Sequence, residues 1–151
     1  MLSKDNYLFE RAYMILNDEY FNSCLPKIFI TIPSSPKAYG YITVDKVWTE
    51  KIENEKLREI NISAEYLYRP IENILATLMH EMVHLYCLEN GISDVSQNGR
   101  YHNKRFKIEC EKRDLQIEYV KYIGYSVTSP TNKFIEVLSK HSLLDRTINH
   151  C

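Results

Sequence analysis

His80, Glu81 and His84, within the run His80-Glu81-Met82-Val83-His84, are the residues of this chain whose types and spacing could do chemistry together. Two imidazoles four positions apart stack on one face of a helix, so both can point at a single Zn²⁺. A glutamate directly after the first imidazole flanks the place of a metal-bound water. The pattern predicts a metallohydrolase, in which the metal polarises a carbonyl and Glu81 takes a proton from water. The bland alternative is a pair of hydrogen-bonded structural histidines with Glu81 at the surface.

Catalytic zinc takes three protein ligands and keeps a fourth position open, so the pattern requires a third ligand elsewhere. Metzincin spacing would place glycine at position 87 and histidine at position 90, but the chain has Cys87 and Asn90, which excludes that class. A thermolysin-like site would draw Glu109 or Glu111 from a following helix. The other candidate, and the favoured one, is His102, at the start of the helical stretch 103–113. Spacing alone does not choose between them. Cys87, one turn beyond His84, reads as a small core residue before it reads as a ligand.

The motif needs a rigid element to hold it. Ile71, Ile74, Leu75, Leu78, Met82 and Leu85 recur at three- and four-residue spacing, and Met79, Val83 and Cys87 extend the apolar surface around most of the circumference. This predicts a central helix over 71–88, with Pro70 in its first turn and Gly91 as its stop. Two histidines and a glutamate embedded there would be costly without partners. Around it the chain reads as α+β. An amphipathic helix over 5–21 is followed by strands over 27–32, 39–47 and 57–62, with a charged turn at Glu53-Asn54-Glu55. After the central helix come a polar loop over 92–100, the second helix, a strand pair over 116–127 broken near Gly124, and a helix over 131–140 with Phe134, Val137 and Leu138 inward. Residues 141–151 read as a loose tail, with His141, His150 and Cys151 as unpaired surface groups.

Three stretches also carry a family resemblance: Arg69-Pro70-Ile71-Glu72, the H-E-M-V-H-L run at 80–85, and Tyr101-His102-Asn103-Lys104-Arg105-Phe106-Lys107. Together they resemble the SprT-like metallopeptidase domain, the family that includes Spartan-type proteases. Tyr39-Gly40-Tyr41 through Trp48 is similar to that family's G-x-[FY]-T…W strand segment, and Glu59-Ile60-Asn61-Ile62 to its E-I-x-[IL] strand. The resemblance covers roughly positions 35–115. It implies a zincin-like domain with a small antiparallel or mixed sheet, one Zn²⁺ per chain held by His80, His84 and His102, and Glu81 as catalytic base. It also implies a protein or peptide substrate and, from the resemblance alone, DNA or a DNA-bound protein as partner. Longer members carry a zinc ribbon built on paired C-x-x-C knuckles. Here Cys24, Cys87, Cys110 and Cys151 are singletons, so the expectation is a minimal, catalytic-domain-only form over 1–151.

Bulk properties fit a small intracellular enzyme. With 151 residues, 44% hydrophobic and 26% charged, the chain is sized for one domain with a real core. A net charge of −1 argues against strong general nucleic-acid binding. The first residues lack signal-peptide architecture and no stretch reaches eighteen apolar residues, which predicts a soluble cytoplasmic protein without membrane contact. Twelve tyrosines, with Lys104, Arg105, Lys107, Lys112 and Arg113 on the second helix, offer a second function, a nucleic-acid-binding module with a structural or inactive zinc site. Glu109, Glu111 and Asp114 interrupt that cluster, so a solvated helix face with charge pairs is the plainer account. For the peptidase, Tyr101, Arg100 and Tyr122 are unranked candidates to donate a hydrogen bond to the tetrahedral intermediate. The sheet edge around 39–43 could take an extended polypeptide by strand addition.

Overall fold

Apolar residues returning every three or four positions make the helices, and short β-branched runs make the strands, of a computed structural model that describes residues 2–32, 40–42, 47–49, 55–97, 99 and 101–145. In chain order the elements are α1 (Leu2–Phe21), β1 (Ile28–Thr31), β2 (Gly40–Ile42), β3 (Val47–Thr49), β4 (Glu55–Ile62), a 3-10 turn (Ala64–Tyr66), α2 (Ile71–Glu89), β5 (Val95–Ser96), β6 (Tyr101–His102), α3 (Lys104–Glu111), β7 (Leu115–Val120), β8 (Gly124–Pro130) and α4 (Asn132–Lys140). The mixed α+β class read from the sequence holds.

α2 is the axis of the molecule. Every residue from Ile74 to Val83 is buried, as are Leu85 and Cys87. A helix covered all round must lie inside the domain, and α2 packs against α1, α3, β2, β4 and β8, so it touches both sheets. Pro70 stands one residue earlier than expected. With ψ near 144° it is the extended cap, and its carbonyl accepts the N–H groups of Asn73 and Ile74. At the other end Gly91 takes the left-handed φ of 68°, and the Ile92 N–H closes onto the Cys87 carbonyl at 2.9 Å.

Two small mixed sheets flank the axis, where the sequence suggested one. In the first, β4 is central, parallel to β1 and antiparallel to β2 and β3. The strand expected over 39–47 is represented by β2 and β3; residues 39 and 43–46, and the turn at Glu53 and Asn54, lie outside the described residues. The second sheet runs β5-β6-β8-β7, with β7 and β8 forming the expected late pair. Here the sequence reading needs correction. The polar loop contains β5, and His102 lies in strand β6 instead of opening a helix. Asn103 is the cap of α3, its Oδ1 accepting the N–H groups of Arg105 and Phe106. Two-residue strands have no periodicity to reveal them.

The segment after α4 is anchored at its start. Leu143 is fully buried, and Nε2 of His141 lies 2.7 Å from Oε2 of Glu19 on α1, so the loose tail does not begin at 141. His150 and Cys151 lie outside the described residues. No helix among the described residues is long and apolar enough to cross a membrane.

Candidate metal centre

Four-residue spacing on α2 sets His80 and His84 side by side, and β6 brings His102 to them. The ring centroids are 4.9 Å apart for His80 and His84, 5.6 Å for His80 and His102, and 4.8 Å for His84 and His102. One nitrogen from each ring lies within 4.8 Å of the others, a group that could hold a metal ion. Glu109 and Glu111, the thermolysin-like alternatives, are engaged elsewhere. Glu109 accepts from Arg113 at 2.8 Å and Lys112 at 3.4 Å, and Glu111 accepts from Lys107 at 3.0 Å.

Two of the three rings are oriented by a hydrogen-bonding neighbour. His84 Nδ1 lies 2.6 Å from Asp94 Oδ2. A carboxylate only accepts, so His84 donates there and turns Nε2 to the shared space. His80 Nδ1 lies 3.2 Å from the Thr128 hydroxyl on β8, which leaves its Nε2 free in the same way. Nδ1 of His102 is buried without a hydrogen-bond partner among the described residues. Phe106, fully buried on the first turns of α3, touches all three rings. It stacks on His84 at 4.0 Å and meets His80 and His102 edge-on at 4.9 and 5.1 Å. The sequence reading quoted Phe106 without a role and missed Asp94 and Thr128. Phe106 follows His102 by four residues and was open to discovery, whereas Asp94 in a polar loop and Thr128 in a strand carry no local signal.

Burial tunes these groups. His80 is held well below the ordinary imidazole range, first by desolvation and then by His84 and His102. Desolvation, with His84 next, lowers His102 to about 4, while Asp94 and the Ile123 carbonyl pull the other way. Both rings are therefore neutral near pH 7, the form that binds a cation. Three converging imidazoles, one of them with an orphaned buried nitrogen, fit a borderline-soft divalent ion such as zinc. Glu81 is 5% exposed, against the bland expectation of a surface residue. Its burial raises the carboxyl to about 7, with His84 opposing.

Cys87 is fully buried, its thiol pushed up to about 12 by desolvation and then by Asp94, and it lies outside the imidazole group, as core packing requires. The Tyr101 hydroxyl is 3.5 Å from that of Tyr119, Tyr122 is 77% exposed, and Arg100 lies outside the described residues. The basic cluster on the second helix is laced with carboxylates, and Arg113 is covered by the rings of Phe21 and Tyr86 at 4.7 and 4.3 Å.

Compared with known proteins, the chain matches one family model, described as the SprT-like family, over residues 9–122, more than half of its length. No curated protein and no solved structure matches it.

Proposed function

The chain belongs to the SprT-like family, and from that premise we propose that it is a zinc-dependent peptidase, with His80, His84 and His102 as metal ligands and Glu81 as general base. The observation that carries this reading is the convergence of three imidazoles from α2 and β6 beside a buried glutamate on the same helix. When bound there, zinc supplies Lewis-acid polarisation of the scissile carbonyl and acidifies water. Glu81 takes the proton from the attacking water and passes it to the leaving amine. Burial, which disfavours the charged carboxylate, makes Glu81 a stronger proton acceptor than an exposed glutamate. Asp94 and Thr128 hold two imidazoles in register, and Phe106 walls the site with apolar surface.

Tyr101, next to His102 on β6, is the described donor candidate placed closest in sequence to a proposed ligand. β2 forms one edge of the first sheet and packs on α2, so an extended polypeptide added there would run beside the motif helix. Main-chain pairing tolerates many side chains, which makes the substrate a loosely specified protein. We read the arrangement as zincin-like and the protein as cytoplasmic; DNA or a DNA-bound protein enters only through family membership.

A second reading rests on aromatic rings of the β7–β8 hairpin, where Tyr119 and Tyr122 are exposed and Tyr125 is partly buried. Lys121 lies 5.2 Å from the Tyr122 ring centre and Lys107 lies 5.8 Å from that of Tyr125, the pairing that a stacking surface for single-stranded nucleic acid uses. It expects salt-dependent binding to single strands and no cleavage by the zinc-loaded protein. The discriminating experiment is Glu81→Gln assayed on an unfolded protein. The peptidase reading expects zinc retained and turnover reduced by at least about 100-fold; undiminished turnover in that variant would rule Glu81 out as the base.

A further inference from the structure

The third imidazole is held by a strand contact that only one residue type allows. His102 pairs with Gly124 in the single register that joins β6 to β8, and its N–H donates to the Ile123 carbonyl at 2.9 Å. Gly124 has φ of +79°, and a Cβ built on it would lie 2.1 Å from the His102 carbonyl oxygen and about 3 Å from the His102 carbonyl carbon (3.0 Å) and nitrogen (3.1 Å). Those neighbours are backbone, so no side-chain rotation relieves the clash. Four residues along the same strand, Thr128 meets His80 Nδ1. One strand therefore braces two of the three imidazoles, one through its backbone and one through a hydroxyl.

We infer that Gly124 is a positioning residue for the metal centre, its missing side chain letting β6 lie close enough to β8 to bring His102 to His80 and His84. The inference rests on the proposed role of His102 as third ligand. Any L-side chain at 124 pushes β6 outward and withdraws the third imidazole while α2 keeps the other two. Gly91 and Gly99 also adopt positive φ, +68° and +85°, but a Cβ on either meets nothing within 4 Å. They separate the cost of a left-handed backbone from the cost of the clash.

The test measures zinc affinity by competition with a chromophoric chelator, and the visible spectrum of the cobalt-substituted protein, for wild type, His102→Ala, Gly124→Ala, Gly91→Ala and Gly99→Ala. Gly124→Ala is expected to lose about 10- to 100-fold in affinity and to take on the cobalt spectrum of His102→Ala, while the other two glycine variants match wild type. Wild-type affinity and spectrum in a folded Gly124→Ala protein would overturn the inference. Should Gly124→Ala fail to fold, the full chain with D-alanine at position 124, assembled by ligation at Cys110, decides the matter. D-alanine accepts positive φ and directs its methyl away from the L-side contact, so wild-type zinc affinity is expected and its loss would overturn the inference. Zinc binding by the wild type without cleavage of any polypeptide would sink the peptidase reading and leave this inference standing.

Discussion

At the scale of single residues, the site is as much a matter of what orients the imidazoles as of the imidazoles themselves. Asp94, 8% exposed, holds His84 through a 2.6 Å contact. It fixes the tautomer that leaves Nε2 free and makes the ring a better donor to a cation. Replacing it with Asn removes the charge while keeping the shape. Asp94→Asn is expected to weaken zinc binding about 10- to 100-fold with little change in folding. An isothermal titration giving wild-type affinity would mean that His84 needs no such partner. His80, Glu81 and His84 were legible in the sequence because a helix converts four-residue spacing into adjacency. Asp94 and Thr128 were not, because the loop and the strand that deliver them are placed by tertiary packing, which leaves no trace in local spacing.

At the scale of elements, legibility followed length. α2 spans 19 residues, long enough for its apolar repeat to be unmistakable, and its stop at Gly91 was readable from the residue type. β5 and β6 have two residues each and are held by neighbours, so the sequence assigned one to a loop and set His102 at a helix start. Spacing predicts Asn103 as the first helical residue, whereas it stands outside the helix as the cap of α3, its side chain accepting the N–H groups of Arg105 and Phe106. That start places Phe106 against the three rings. A fully buried phenylalanine truncated to alanine costs about 3–5 kcal/mol, so Phe106→Ala should destabilise the metal-free protein by that amount in urea unfolding. A change below about 0.5 kcal/mol, the range of ordinary surface substitutions, would show that the ring is not the packing centre of the site.

At the scale of the whole molecule, the candidate centre joins two parts of the fold. His80 and His84 belong to the central helix, and His102 belongs to the second sheet through β5 and β8. An ion held by all three would tie that sheet to the helix, so binding energy would also be folding energy. The first sheet, through β2, offers the edge beside the same helix. The α+β class was legible because helical and strand-like stretches alternate along the chain, and its division into two sheets was not, since pairing partners lie far apart in sequence. The central claim is that three histidines from two elements hold one zinc. Elemental mass spectrometry on purified wild type and His102→Ala, side by side, tests it most directly. The account predicts one zinc per wild-type chain and a sharply reduced content in the variant. A folded wild type that stays free of zinc even after the metal is added back would contradict it.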